Sequence, residues 1–367
     1  MRSLFIALLL LPIAAVAQPL IPELLTALPA QLNETSGVVV LGTEVWTVLD
    51  SGAPAAIYQV DPQSGDVLRT VSLMGTTNVD FEEVTADGQY VYVADIGNNF
   101  GSRTDLRIYR FLRSALADGS ATEVPVETIA FTFEDQTDLT PALYATNFDC
   151  EALVAVDDSL FLFTKRWLDR RTQVYALPAT PGEHIARVHG QSDADGLITA
   201  AAWDGTDRLV LLGHEDDPGQ PFVWTFNGVQ DHDFFGVPGV RREVDLFDHQ
   251  TEGIAWSGSD EWLLSNEQGF GFPAALWSVD VLQTVSENHG MRALVSAYPL
   301  PTFDQLHFSG LRGAFVVRVF DATGKEVLHG LVPTTGVLDL HGLCEGTYVA
   351  LVTEGDRVHR LPFVVVR

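Results

Sequence analysis

The sequence predicts an all-β protein, a five- to six-bladed β-propeller followed by a small Ig-like β-sandwich. Three observations predict it. A polar-then-apolar phrase recurs five times, as SGVVVLG (36–42), EEVTADG (82–88), EALVAVD (151–157), TAAAWDG (199–205) and EGIAWSG (252–258). Each phrase reaches a Gly or Asp turn and is followed by a second apolar strand: EVWTVLD, YVYVADI, LFLFTK, LVLLGH and EWLLSNE. Evenly spaced hairpins of this kind mark a radial repeat with one four-stranded sheet per blade. The third observation is the tail from Tyr298, where short alternating strands are divided by DATG, EGT and EGD turns. That pattern fits a small antiparallel sandwich.

In chain order, residues 1–17 form a signal peptide, with one basic residue, an apolar run (LFIALLLLPIAAV) and an Ala-Val-Ala cleavage site before Gln18. No later stretch reaches the roughly 20 apolar residues that cross a bilayer. The propeller spans 18–285. Its first segment, IPELLTALPAQL, has no partner of its own and is expected to pair with the last blade, closing the ring and covering an edge. Outer strands follow the hairpins. AAIYQV and DVLRTVSL belong to the first blade, LRIYRFL and ETIAFTF to the second, and TQVYAL and HIARVHG to the third. PFVWTF and a segment near Arg241 complete the fourth; AALWSVD belongs to the fifth, with VLQTV near Leu282 as the one further candidate strand there. The long interval between Glu82 and Glu151 holds either a lid-like loop or a sixth blade. A linker at 286–297 leads to the sandwich at 298–367.

Hairpin geometry turns the repeat into a site. In an antiparallel pair closed by a tight turn, the first residue of one strand faces the last residue of the next. Ser36 is therefore expected beside Asp50, Glu82 beside Asp95, Glu151 beside Thr164, Thr199 beside Gly213 and His214, and Glu252 beside Ser265 and Asn266. With each phrase lining the axis, polar groups from five blades converge on one end of the channel. A register slip of one residue would put Glu83 or Glu267 in place of Glu82 or Asn266. Asp95-Ile96-Gly97-Asn98-Asn99, followed by Arg103, is the sharpest loop motif. Together with Lys165 it supplies candidate ligand-facing groups at the rim: Lys165, Arg103 and Asn98.

Charge is lopsided: 21 Lys plus Arg against 49 Asp plus Glu, a formal net charge of −28. Only six of the basic and seven of the acidic residues lie from Tyr298 onward, so the negative excess belongs to the propeller. Such a surface repels nucleic acid and anionic lipid. Cys150 and Cys344 have no spacing pattern for a zinc cluster or a disulfide framework, and Cys150 reads as a buried free thiol. A nucleophile elbow, a P-loop and a dinucleotide-binding glycine turn are all missing, which excludes the commonest serine-hydrolase and nucleotide-binding chemistries.

Two resemblances add to this reading. The tail resembles the C-terminal sorting domain of type IX secretion cargo through Tyr298-Pro299 with Pro301, VRVFDATGKEV, LDLHGLCEGTYVALV and the basic terminus at Arg367. Leu300 replaces the usual Asn. The resemblance implies secretion or display at the outer-membrane surface, with the type IX machinery as a partner. The phrases DFEEV, ADIGNNFGSRTDLRIYRF, FDCEAL, LITAAAWDG and TEGIAW are similar to secreted bacterial propellers. Those are distant kin of the calcium-dependent phosphotriesterase and paraoxonase-like propellers and of esterase-like and phytase-like proteins. In such propellers, inner-strand carboxylates and amides hold a calcium ion. The matching positions here are Glu82, Glu151, Glu252, Asp95 and Asn266, all hard oxygen donors suited to that ion. Asp80 and Asp149, two residues before their glutamates, would form an outer shell. The competing account makes these acids metal-free struts between blades. The expected function is an exported or cell-surface propeller that binds a small molecule or surface partner at one channel mouth, with structural Ca2+. The alternative is a metal-dependent ester, lactone or phosphoester hydrolase using that Ca2+, with His214 or Asp50 handling protons.

Overall fold

The computed structural model describes residues 18–281 except 118, 217–218 and 259–260, and in the C-terminal part residues 296–298, 302–309, 315–321, 325–332, 336–354 and 357–367. The expected signal peptide and residues 286–295 of the linker lie outside them. The chain divides into two compact units, Met1–Gln283 and Thr284–Arg367.

The first unit begins with β1 (Glu23–Ala27), which waits for the end of the unit to find its partner. Blade 1 is β2 (Thr35–Leu41), β3 (Glu44–Leu49), β4 (Ala56–Val60) and β5 (Val67–Met74). Blade 2 is β6 (Phe81–Ala86), β7 (Tyr90–Asp95) and β8 (Arg107–Leu112), completed after β9 (Glu123–Pro125) by β10 (Glu127–Phe133). Blade 3 is β11 (Asp149–Val156), β12 (Ser159–Lys165), β13 (Thr172–Pro178) and β14 (Gly182–Ser192). Blade 4 is β15 (Leu197–Trp203), β16 (Arg208–His214), β17 (Pro221–Asn227) and β18 (Gly239–Glu243). Blade 5 is β19 (Thr251–Trp256), β20 (Glu261–Asn266) and β21 (Ala275–Asp280), with β1 as its outermost strand. Glu23 lies opposite Ser278 and Ala27 opposite Ala275, so the start of the unit closes its last blade. Pairing across the ring's ends covers an edge strand that would otherwise expose unpaired backbone groups.

Among the described residues the blades number five. Apolar clusters fill five successive interfaces: blades 1 and 2 around Trp46 and Val93, 2 and 3 around Ile108 and Leu162, and 3 and 4 around Phe163 and Leu211. Blades 4 and 5 meet around Leu212 and Trp262, and blades 5 and 1 around Leu263 and Tyr58. Among the described residues the long interval after blade 2's hairpin holds no sixth sheet. In it β9 pairs in parallel with β5, and β10 pairs in parallel with β14, linking the sheets of blades 2 and 3. Residues 134–148 form a loop that folds back on residues 99–101, with the amides of Ala142 and Tyr144 donating to the carbonyls of Phe100 and Asn99.

The second unit contains β22 (Ser296–Tyr298), β23 (Gln305–Ser309), β24 (Phe315–Asp321), β25 (Glu326–Val332), β26 (Val337–Asp339), β27 (Gly346–Glu354) and β28 (Arg357–Val365). Two sheets, ordered β22-β23-β26 and β25-β24-β27-β28, share one apolar core around Leu306, Val317, Val319 and Ala350. Cys150 is buried and Cys344 exposed, both as free thiols. Among the described residues no helix is long and apolar enough to cross a membrane.

Candidate functional site

Every inner strand carries the same irregularity near its start. The pairing ladder jumps between Thr35 and Val38, Phe81 and Glu83, Cys150 and Ala152, Ile198 and Ala200, and Thr251 and Gly253. The residues passed over are the leads of the five phrases: Ser36 with Gly37, Glu82, Glu151, Thr199 and Glu252. A bulge leaves its extra residue outside the ladder and re-aims the side chain. It also corrects the expected pairings by one residue: Phe81 faces Asp95, Cys150 faces Thr164, Ile198 faces Gly213 and Thr251 faces Asn266.

The two hydroxyl leads tie neighbouring blades together. Ser36 Oγ donates to the Phe81 carbonyl at 2.8 Å, and Thr199 Oγ1 donates to the Thr251 carbonyl at 2.9 Å. In each case the acceptor immediately precedes the next blade's bulge. Glu83 is a strut of a different kind. Its Oε1 accepts from its neighbour's Val84 amide at 2.9 Å and its Oε2 from the Ala201 amide at 3.1 Å. Blades 2 and 4 are not adjacent, so this carboxyl group spans the channel.

The three glutamate leads are buried at the same mouth, with Glu82, Glu151 and Glu252 only 7%, 4% and 6% exposed. Carboxylate oxygens of Asp50, Asp80 and Glu82 lie within 4.8 Å of one another, and so do those of Glu34, Asp50 and Glu267. Asp50 belongs to both groups. Lys165 brings a cation to the glutamate of blade 3: its Nζ is 3.4 Å from Glu151 Oε1 and 5.0 Å from the Trp167 ring. Burial, then Glu151, Asp50, Asp80 and Asp149, hold the Glu82 carboxyl well above the usual range. Burial also raises Glu151, against Lys165 and with Asp149 and Glu252. Glu267 is raised by burial and then by Glu252, Asp50 and Glu34. Burial and the Asp50 carboxylate push Asp80 up to about 7, against Arg103. Crowding of this kind is relieved by protons or by a bound cation. Gly97 makes it geometrically feasible, since a Cβ there would stand 2.0 Å from Glu82 Oε1 and 2.4 Å from Asp80 Oδ2.

Several expected site residues are committed elsewhere. Asp95 is fully buried and accepts from Arg103 Nη2 at 2.8 Å, Arg107 Nε at 3.1 Å and the Asp80 amide at 3.0 Å. Two guanidiniums occupy both its oxygens, so it is an internal clamp rather than a metal ligand. Asn266 donates through Nδ2 to the carbonyls of Glu267 and Pro273 and accepts from Trp277 Nε1, which leaves its oxygen inside blade 5. Asn98 and Arg103 are likewise loop fasteners rather than rim groups. The Asn98 amide donates to Asp149 Oδ1, its Nδ2 to the Phe148 carbonyl, and Arg103 Nη1 to the Gly97 carbonyl. Lys165 sits inside, on Glu151, instead of at the rim. His214 is fully buried, and its Nε2 accepts from the Thr251 amide at 3.1 Å. Burial and Lys165 push it down to about 3, so the ring is neutral and makes a poor proton carrier.

Sequence reasoning missed Glu34 and gave Glu267 only as a register alternative. A signal for Glu34 existed. It stands two residues before the lead Ser36, as Asp80 and Asp149 stand before Glu82 and Glu151.

No protein-family model matches the chain, and no curated protein sequence matches it. Among solved structures it is similar to PorZ, a surface component of the type-IX secretion system of Porphyromonas gingivalis, at 12% identity and a TM-score of 0.34. That similarity covers 91% of this chain and 45% of PorZ. The extracellular domain of BT4673 from B. thetaiotaomicron is similar at 11% identity and a TM-score of 0.29, over 89% of this chain and 49% of that one. An exo-beta-1,3-galactanase from Phanerochaete chrysosporium is similar at 12% identity and a TM-score of 0.38, over 90% and 94%. The chain thus spans about half the length of the first two. At these scores the likenesses carry no argument about its activity.

Proposed function

We propose that this chain is an exported surface propeller that binds a divalent cation, calcium, at the bulged mouth of its channel, and through that mouth a ligand or partner. The observation that carries the reading is the convergence of three buried glutamate leads with Asp50 and Asp80 around a single lysine. The donor set fits the ion, because calcium takes six to eight hard oxygens in flexible geometry. Asp50, Asp80 and Glu82 would hold it, with Glu151 alongside; Asp95 and Asn266 would not. When bound, the cation supplies charge compensation and open coordination positions for an oxygen-bearing ligand. The protein's own residues set the mouth's shape through the Ser36 and Thr199 ties and the Glu83 strut.

Hydrolysis is the weaker reading, since His214 is buried, neutral and bonded to Thr251. Export rests on the signal-peptide pattern at 1–17 and on the likeness of the sandwich to type IX sorting domains. Elemental analysis of the purified, dialysed protein, together with calcium titration calorimetry, tests the site. Stoichiometric calcium lost in Glu82→Gln supports it; no retained metal and no titration heat would overturn it. Deleting residues 298–367 should strand the protein in the periplasm, and undiminished surface display would remove the sorting role.

A further inference from the structure

The opposite mouth of the channel, at the turn ends of the inner strands, is a cavity of about 610 Å³. That volume lies in the range of small-molecule sites. Its lining is unusual in containing consecutive residues from all five inner strands: 38–41, 84–88, 155–157, 201–203 and 254–256. Side chains alternate across a strand, so an unbroken run can face one cavity only through its backbone edge. Each inner strand is the terminal strand of its sheet, so that edge has no ladder partner on the channel side. The wall therefore offers both N–H donors and C=O acceptors. Glu83, bonded across the axis to the Ala201 amide, separates this cavity from the acidic mouth.

Two indoles, Trp203 and Trp256, stand in the lining, and Trp256 is 37% exposed. Arg113, Asp157, Asp231 and His232 complete the rim. His232 Nε2 bonds Asp157 Oδ2 at 2.9 Å. Asp157, Asp231 and His232 all have left-handed backbones, at φ 53, 51 and 60, a turn conformation that Asp and His readily adopt. An anionic ligand would meet the three carboxylates of Asp87, Asp157 and Asp231 against one guanidinium, Arg113, which already donates to the Asp87 carbonyl. A simple cation would leave the backbone N–H groups unused. A ring bearing several hydroxyls uses both kinds of backbone group and the carboxylates, while its C–H face packs on indole.

We infer that this second mouth binds a hydroxylated ring, the terminal sugar residue of a glycan, stacked on Trp256 and hydrogen-bonded to the Asp157–His232 pair and the inner-strand edges. The full-length mature chain is titrated with the methyl glycosides of glucose, galactose, mannose and N-acetylglucosamine, following tryptophan fluorescence and saturation-transfer NMR. At least one glycoside is expected to saturate. Trp256→Ala and Asp157→Asn should each weaken it by about tenfold or more, while Trp256→Phe retains most of the affinity. Melting curves of the variants establish that they are folded. Trp256→Ala should leave the calcium response of the other mouth intact, so the two readings fail separately. The inference is overturned if no glycoside saturates, if binding survives both substitutions, or if choline saturates the same signal in preference.

Discussion

Replacing Asp80 by Asn should stabilise the ion-free protein, and the effect should depend on pH in a defined direction. Asp80 sits against Asp50 and Glu82, with its carboxyl pushed from 3.8 up to about 7. A carboxyl with a folded pKa above its unfolded one favours folding at low pH, and that contribution is lost as pH rises through about 7. The gap between 3.8 and about 7, at about 1.4 kcal/mol per pH unit, makes ionised Asp80 cost about 4 kcal/mol; some 2–3 kcal/mol of this accrues between about pH 5 and pH 8. His214 pulls the other way: with its pKa lowered to about 3, it destabilises the fold as pH drops below 6.5. The raw pH profile therefore mixes opposed contributions, and the difference between wild type and Asp80→Asn isolates the carboxyl. In EDTA at about pH 8 the variant should melt roughly 10 °C higher, and at about pH 5 the advantage should fall to less than half. A hundredfold excess of calcium over Kd at pH 8 should narrow the gap to about 1–2 kcal/mol, since wild type gains about 2.7 kcal/mol and the variant has lost a ligand. Scanning calorimetry reads all of these. A variant no more stable than wild type in EDTA at pH 8, or a gap that calcium leaves unchanged, refutes the reasoning.

Three further substitutions probe the parts around that site. Asp95→Asn breaks a pair of buried ion pairs and should cost about 3 kcal/mol in chemical denaturation, yet leave calcium affinity unaltered; a parallel loss of calcium binding would return Asp95 to the ligand set. Ser36→Ala and Thr199→Ala each remove a donor to a buried carbonyl and should cost about 1–2 kcal/mol apiece, adding in the double variant because they tie different blades. Neutral unfolding midpoints would show that these ties contribute nothing. Gly97→Ala pushes a methyl into Glu82 and Asp80 and should weaken calcium by about tenfold or more, so unchanged titration curves would mean the ion is not held there.

The fold was legible because each phrase is an inner strand with its own turn, and because the orphan segment before Ser36 could go only to an open edge. Blade number was less legible, since β9 and β10 look like an extra hairpin until their parallel pairing with β5 and β14 is seen. The site was legible as a convergence but not in its membership. A bulge adds one residue without changing the apolar alternation beyond it, so Glu82 looks paired with Asp95 when Phe81 is. The Asp95 clamp escaped notice because Arg103 and Arg107 reach it from a loop and from the next strand. The turn-end cavity was not legible as a site, because much of its wall is backbone edge and its two indoles, Trp203 and Trp256, read as ordinary residues of the phrases.

The choice of residue at the repeated bulge separates the two accounts of the glutamate leads. A lead that ties to the carbonyl before the next bulge must donate, and Ser36 and Thr199 do so without charge, whereas the Glu83 strut accepts from the Ala201 amide. A carboxylate cannot donate unless protonated, and Glu82 and Glu151 lie in a cluster of acids that burial holds well above the ordinary carboxylate range. Struts made this way would be weakest where the acids are ionised, whereas Ser or Thr at positions 82, 151 and 252 would serve at every pH. Glutamate at three of five equivalent positions is therefore a poor donor to the next blade's carbonyl and a suitable residue for holding a cation. That contrast, within one repeat of one chain, favours the calcium reading over the metal-free one.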